Sequence, residues 1–323
     1  MYTATFNDTH IQKSDTIFSE LFRYLDEAGY SWLPPPPEDL IKYREKKHTF
    51  SSLKQYFGLG VQMGVSQLEM AGLPTELIKE IAPLKLAISR PGRYFVPHSH
   101  WSNRYLEPGE YVYFGQVSLL LMHQLHRYWS EISGKSILDL GCGSGALAID
   151  LSQVANEVLG IDRSGRAVEW AIASARAQGS KNSSFIQLEI GEHPVGYKYL
   201  EKEWDVAIFN PPMVIPRESQ RLPHRDGGVM GLEVPFQFLD FCEVYLRPYG
   251  DVYCLMTNPI RCGKGMLFEK LGTRKWKLVE KVCLNTRFNH QVYRQEHYKE
   301  KQIERVELYF IHLKKGALTL KKQ

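Results

Sequence analysis

The run Ser136-Ile-Leu-Asp-Leu-Gly-Cys-Gly-Ser-Gly-Ala-Leu-Ala148 constrains the fold of this chain more than any other. Its first part is almost continuously apolar, as a strand buried on both faces must be, and its last part suits a buried helix. A strand that turns through glycines straight into a helix opens a βαβ unit, which demands a parallel sheet with helices on its faces. The alternation continues downstream. Strands are expected at 136–140, 157–161, 185–189, 205–209 and 251–256, with helices at 145–154, 165–178 and 234–246. The end differs, because 277–284 and 305–313 read as two more strands joined by a charged stretch, an antiparallel edge pair.

The first hundred residues lack this alternation and read as a separate, mainly helical domain. Ile17, Leu21, Phe22 and Leu25 share a helical stripe within 14–28 before Gly29 ends it. Pro34-Pro-Pro-Pro37 makes a stiff spacer. Leu53, Tyr56 and Phe57, then Leu77, Ile78 and Ile81, mark further short helices, and 84–89 follows as a strand, an order compatible with a winged-helix-like module. The expected division is 1–110, a substrate, partner or lid domain, and 111–323, the catalytic one.

Composition narrows the class. With 43% apolar and 24% charged residues the chain belongs with globular proteins rather than disordered or fibrous ones. No apolar run approaches a membrane span and no leader pattern is visible, so a cytoplasmic location is expected, with no membrane partner. Five scattered cysteines, with no Cys-x-x-Cys pair, suit reduced thiols. A net charge of +4 permits contact with nucleic acid without demanding it.

The glycine turn can approach a nucleoside ligand closely. Gly141, Gly143 and Gly145 are spaced G-x-G-x-G, one residue tighter than the dinucleotide fingerprint, which favours S-adenosylmethionine over NAD. Asp139 precedes the turn, where a carboxylate can meet the ammonium of a bound amino acid. Asp162 ends the next strand about 20 residues on, the position of a ribose-binding acid, with Arg163 beside it. Glu189 is expected to end the following strand and to approach the adenine amine.

This segment resembles the class I S-adenosylmethionine-dependent methyltransferases, with 138–145 as their first motif, Cys142 included, and Asp162 as their ribose acid. The resemblance covers 114–313 and implies a Rossmann-like α/β fold with a seven-stranded, mostly parallel sheet. Tyr113-Phe-Gly-Gln-Val117 looks like the start of the helix that covers the cofactor in the family's small-domain branch, which makes Phe114 and Gln116 cofactor neighbours by position.

Asn210-Pro-Pro-Met213 follows the strand at 205–209 and therefore belongs at the carboxyl edge of the sheet, where open α/β sheets bind ligands. Prolines lack an N–H, and Pro211 keeps Asn210 from helical angles, so the loop is stiff and presents acceptors. The Asn210 side-chain oxygen and the Pro211 carbonyl can take the two N–H bonds of an amide or aromatic amine and aim its lone pair. The tetrapeptide resembles the Asn-Pro-Pro-Tyr/Phe motif of methyltransferases acting on planar nitrogens: adenine amines, guanine amines in ribosomal RNA, and the glutamine amide of release factors. It departs at Met213, where an aromatic ring is usual; Trp101, Tyr105 or Tyr113 would have to supply one. Further on, 225–233 resembles the glycine-rich approach to the next helix in the glutamine-methylating branch, which implies a substrate-facing loop with His224, Arg225 and Asp226; a capped helix start is the plainer alternative.

Asn258-Pro259 also ends a strand but lacks the second proline and reads as structural. His98 and His100 lack further ligands at metal-binding spacing, so no metal is expected. Lys42-Tyr-Arg-Glu-Lys-Lys47 reads as a solvated helix face. The expected activity is methylation of a planar nitrogen in a macromolecule such as RNA or protein. Methylation of nitrogen or oxygen in a biosynthetic small molecule is the alternative enzyme, and a cofactor-binding scaffold without turnover is the alternative of another class.

Overall fold

The computed structural model describes residues 8–35, 39–100, 110–191, 200–216, 222–288 and 296–316. In chain order its elements begin with helices α1 (Asp8–Glu27), α2 (Leu40–Glu45), α3 (Val65–Met70) and α4 (Thr75–Ile81), strands β1 (Leu86–Ser89) and β2 (Val96–Ser99), and helices α5 (Gln116–His126) and α6 (Trp129–Ile132). There follow β3 (Ser136–Leu140), α7 (Ala146–Leu151), β4 (Glu157–Asp162), α8 (Gly165–Ala177), β5 (Ser183–Gln187) and β6 (Trp204–Phe209). Last come α9 (Glu233–Tyr245), β7 (Leu246–Arg261), β8 (Lys264–Gly265), α10 (Met266–Gly272), β9 (Trp276–Asn285), α11 (Glu296–Glu300) and β10 (Ile303–Lys315). The fold is mixed α/β, with a central, mostly parallel sheet and a small antiparallel one. No helix of the described residues is long and apolar enough to cross a membrane. The chain forms two compact units, Met1–Met122 with Cys142–Gln187, and His123–Gly141 with Leu188–Gln323.

In the first unit the stripe of α1 is buried: Phe18, Leu21 and Leu25 are fully enclosed. It packs on α8, where the Phe18 ring meets Trp170 edge-on at 6.3 Å and Ser14 donates to the Glu169 carboxylate at 2.5 Å. β1 and β2 pair antiparallel, from Leu86↔Ser99 to Ser89↔Val96. Ser99 then exchanges bonds with Val112, its N–H to the Val112 carbonyl at 2.8 Å and its Oγ from the Val112 N–H at 2.9 Å, which delivers the chain to α5. β4 and β5 pair in parallel over five residues, Val158↔Ser183 to Asp162↔Gln187.

In the second unit β3, β6 and β7 lie parallel in that order, with β10 antiparallel to β7 and β9 antiparallel to β10. The expected antiparallel edge pair is present, and the charged stretch between its strands contains α11. β7 is much longer than the expected 251–256. It begins at Leu246 opposite Trp204, shifts register at Tyr249, whose φ is +63°, and resumes as Val206↔Asp251. Its far half persists because β10 pairs with it all the way to Arg261.

Candidate active site

The first unit carries the glycine turn and the acid after it. Gly143 and Gly145 hold φ of +54° and +81°, and Gly145 is the residue from which α7 starts rather than part of that helix. A Cβ on Gly143 would come within 3.4 Å of the Tyr113 carbonyl, so the segment that leads into α5 lies directly against the turn. Asp162 ties the turn to its own loop: Oδ2 accepts from Gly143 N–H and Oδ1 from Ser164 N–H, both at 2.9 Å. These bonds set the plane of the carboxylate, an acceptor-only group of the kind a ribose diol requires. Cys142 is buried and its thiol donates to the Gly143 carbonyl at 3.5 Å. Arg163 is exposed, with its carbonyl held by the Gln187 amide at 3.0 Å. Phe114 is buried beside the His98 ring, and the Gln116 amide donates to the Pro34 carbonyl. The alternating glycines of the turn and the oriented Asp162 carboxylate fit a nucleoside ligand.

Glu189 corrects the expectation made for it. It does not end β5, which stops at Gln187, and it lies exposed two residues beyond. The strand runs 183–187 because its partner β4 offers backbone only as far as Asp162.

The second unit carries the strand before the turn and the proline loop. Asp139 is buried in β3, and the register Leu140↔Phe209 makes Gly141 and Asn210 leave adjacent parallel strands at the same level. Phe238 of α9 backs both exits: a Cβ on Gly141 would sit 3.4 Å from its ring, and Phe209 meets it edge-on at 5.5 Å. Asn210 and Pro212 are half-buried, while Pro211 and Met213 are buried. The loop is gripped from two sides. Thr257 of β7 donates its hydroxyl to the Met213 carbonyl at 3.1 Å. On the other side Gly227 and Gly231 come so close that a Cβ on Gly227 would stand 2.7 Å from Met213 Cα and 2.8 Å from the Pro212 carbonyl, and one on Gly231 would strike the Met213 carbonyl.

The loop around His224, Arg225 and Asp226 serves this grip. Val214 N–H donates to the Arg225 carbonyl at 2.9 Å, and Gly227 N–H to the Val214 carbonyl at 2.8 Å. Asp226 is no helix cap: its carboxylate accepts from Leu222 N–H at 2.6 Å and pairs with Arg225 Nε at 3.3 Å, seven residues before α9 begins. Tyr298 of α11 is buried and accepts from Ile215 N–H; burial pushes its phenol up to about 12, so it stays protonated. Trp101 and Tyr105 lie outside the described residues, and Tyr113 is exposed.

The methyltransferase-domain family model matches residues 131–305, over half of the 323. The chain belongs to this family. It is a class I S-adenosylmethionine-dependent methyltransferase. The release factor glutamine methyltransferase of Thermodesulfovibrio yellowstonii is 25% identical to it over 244 residues, covering 71% of this chain and 80% of that protein. The 23S rRNA (uracil(1939)-C(5))-methyltransferase of Pseudomonas entomophila is 27% identical over 106 residues, 32% of this chain and 24% of that one. The chain thus spans only 24% of the uracil methyltransferase's length. Among solved structures, the 16S rRNA N2 G1207 methyltransferase of T. thermophilus aligns with a TM-score of 0.44 at 17% identity, over 71% of this chain and 50% of that one.

In this methyltransferase the other Asn-Pro pair behaves differently from the proline loop. The buried Asn258 amide donates to Glu307 at 3.1 Å and accepts from Leu267 N–H at 3.1 Å, so it anchors α10. Sequence reasoning missed Thr257, Phe238 and Tyr298, which touch the site from elements distant in the chain. Gly227 and Gly231 did carry a signal, a glycine pair with a third glycine three residues on, but not what the glycines pack against.

Proposed function

We propose that this methyltransferase methylates a planar nitrogen, an amide or exocyclic amine, in a macromolecule, RNA or protein. The observation that carries the proposal is the parallel pairing Leu140↔Phe209, which starts the glycine turn and the Asn210 loop from neighbouring strand ends about 4.8 Å apart. Asp139, Gly141, Cys142, Gly143, Gly145, Asp162, Arg163, Phe114 and Gln116 are assigned to the cofactor, which supplies an electrophilic methyl group on a sulfonium. Asn210 and Pro211 accept the two N–H bonds of the acceptor and point its lone pair outward from their plane. Positive charge that grows on the nitrogen is stabilised by these acceptors, and its proton leaves to water afterwards, so no strong base is needed beforehand. Pro212 and Met213 hold the loop, with His224, Arg225 and Asp226 on the substrate side. Residues 1–110 select the acceptor.

The relative matched over most of both chains is named for release factor glutamine, and because the side-chain nitrogen of glutamine is a planar amide, that name supports the planar-nitrogen reading. Transfer of tritiated methyl from labelled cofactor into the RNA, protein and small-molecule fractions of a deletion strain tests the acceptor class. Asn210→Ala should abolish that transfer and leave cofactor affinity, by calorimetry, at the wild-type value. Undiminished transfer by this variant would remove the nitrogen-holding role, and label confined to small molecules would remove the macromolecular one.

A further inference from the structure

Within the first unit a partly exposed aromatic cluster lies within four residues along the chain of cations that have no acidic partner. The Tyr43 ring is exposed and stacks on Phe50 at 5.7 Å, and the buried Trp32 braces both edge-on, at 6.2 Å and 5.6 Å. Between residues 38 and 54 five Lys or Arg stand against Glu38, Asp39 and Glu45, and Lys42 pairs with Asp39 at 2.9 Å. Elsewhere in the unit Lys13 pairs with Glu80, Arg23 with Glu27, Lys79 with Glu76, Arg166 with Glu110 and Arg176 with Asp15. Among the described residues no carboxylate pairs with Lys46, Lys47 or Lys54, and the first two are exposed. The charge run starts on α2 as an exposed face; the helix ends at Glu45, and the chain beyond it brings the Phe50 ring onto Tyr43.

We infer that this cluster binds an unpaired polynucleotide strand, a base stacked on Tyr43 and phosphates held by Lys46, Lys47 and Lys54. Stacking on an open aromatic face beside unpaired cations is how single strands are held without sequence readout, and neither duplexes nor acidic peptides offer free base faces. The cluster also leads toward the cofactor residues of the same unit, since Pro34, two residues past Trp32, accepts the bond from Gln116. The inference rests on the macromolecular reading of the acceptor, yet its test involves no methyl transfer, so the two can fail separately.

Fluorescence anisotropy of the full chain, with unstructured RNA and DNA 12-mers of one sequence, the matching duplex, and poly-glutamate of equal charge, decides it. A single strand should bind tightest, and whichever sugar binds better identifies the source. Tyr43→Ala should weaken binding roughly tenfold, while Tyr43→Phe keeps it. The combined Lys46→Gln, Lys47→Gln and Lys54→Gln variant should lower the slope of log affinity against log salt by about 2, at about 0.7 per phosphate contact. Binding of duplex or poly-glutamate as tight as that of the strands, or wild-type affinity and salt slope in these surface variants, overturns the inference.

Discussion

Thr257 and Gly231 illustrate how single atoms set the proline loop. Thr257→Val keeps the shape of the side chain but leaves the buried Met213 carbonyl without its donor, which costs about 1–3 kcal/mol. Urea unfolding should show this loss, Thr257→Ser should restore most of it, and kcat should fall by up to about 100-fold, since a small misplacement of a positioning group is that costly. Wild-type stability and kcat in the valine variant would show that the bond holds nothing. Gly231→Ala combines a positive φ with a collision at the same carbonyl, so it should damage turnover while sparing cofactor binding. Asp162→Ala should do the opposite, weakening cofactor affinity in calorimetry, because its carboxylate both orders the turn and faces the diol assigned to it. The residue types at 139–145, 162 and 210–213 were legible from the sequence. The hydrogen-bond partners that orient them were not.

At the scale of elements, β2 contains a charge-sensitive joint. His98 donates from Nδ1 to the Ser99 carbonyl at 3.1 Å and accepts at Nε2 from the Ser89 hydroxyl at 2.9 Å, so its neutral ring is satisfied on both sides. Burial, with a smaller contribution from nearby His100 and partly offset by the Ser99 bond, lowers its pKa to about 4. The unfolded chain therefore takes up a proton near 6.5 that the folded one refuses until about 4. Stability from this group is complete above 6.5 and drains away as pH falls toward 4, by an amount on the order of 3 kcal/mol. Urea midpoints between pH 7 and 4.5 should fall, and the fall should be smaller in His98→Gln; an equal fall in both would assign it to other groups. Element boundaries follow the same logic of partners. β3 matches its expected span because five buried residues between a polar start and a glycine need no neighbour to define them. β5 lies two residues earlier than its apolar pattern suggests because Ser183 and Ser184 are recruited by β4, and β7 outruns its apolar stretch because β10 accompanies it.

At the largest scale, the helical amino-terminal segment and β4, which ends in Asp162, are parts of one compact unit. Phe18 packs against Trp170 on α8, and α8 is capped by Ser164, whose N–H is held by Asp162. Phe18→Ala should destabilise this unit by about 3–5 kcal/mol and should also speed hydrogen exchange at Gly143 and Ser164, far along the chain from the substitution. Unchanged exchange at both amides would show that α1 is only an appendage. What the sequence determined by itself was the α/β alternation, the glycine turn and the stiff acceptor loop, since each is written in consecutive residues whose burial, backbone freedom or missing N–H acts locally. What only the tertiary structure decided was which strand ends stand side by side and what clamps Met213. Those contacts join residues as far apart as the 44 positions between Met213 and Thr257, and they exist only once the sheet has brought their strands together.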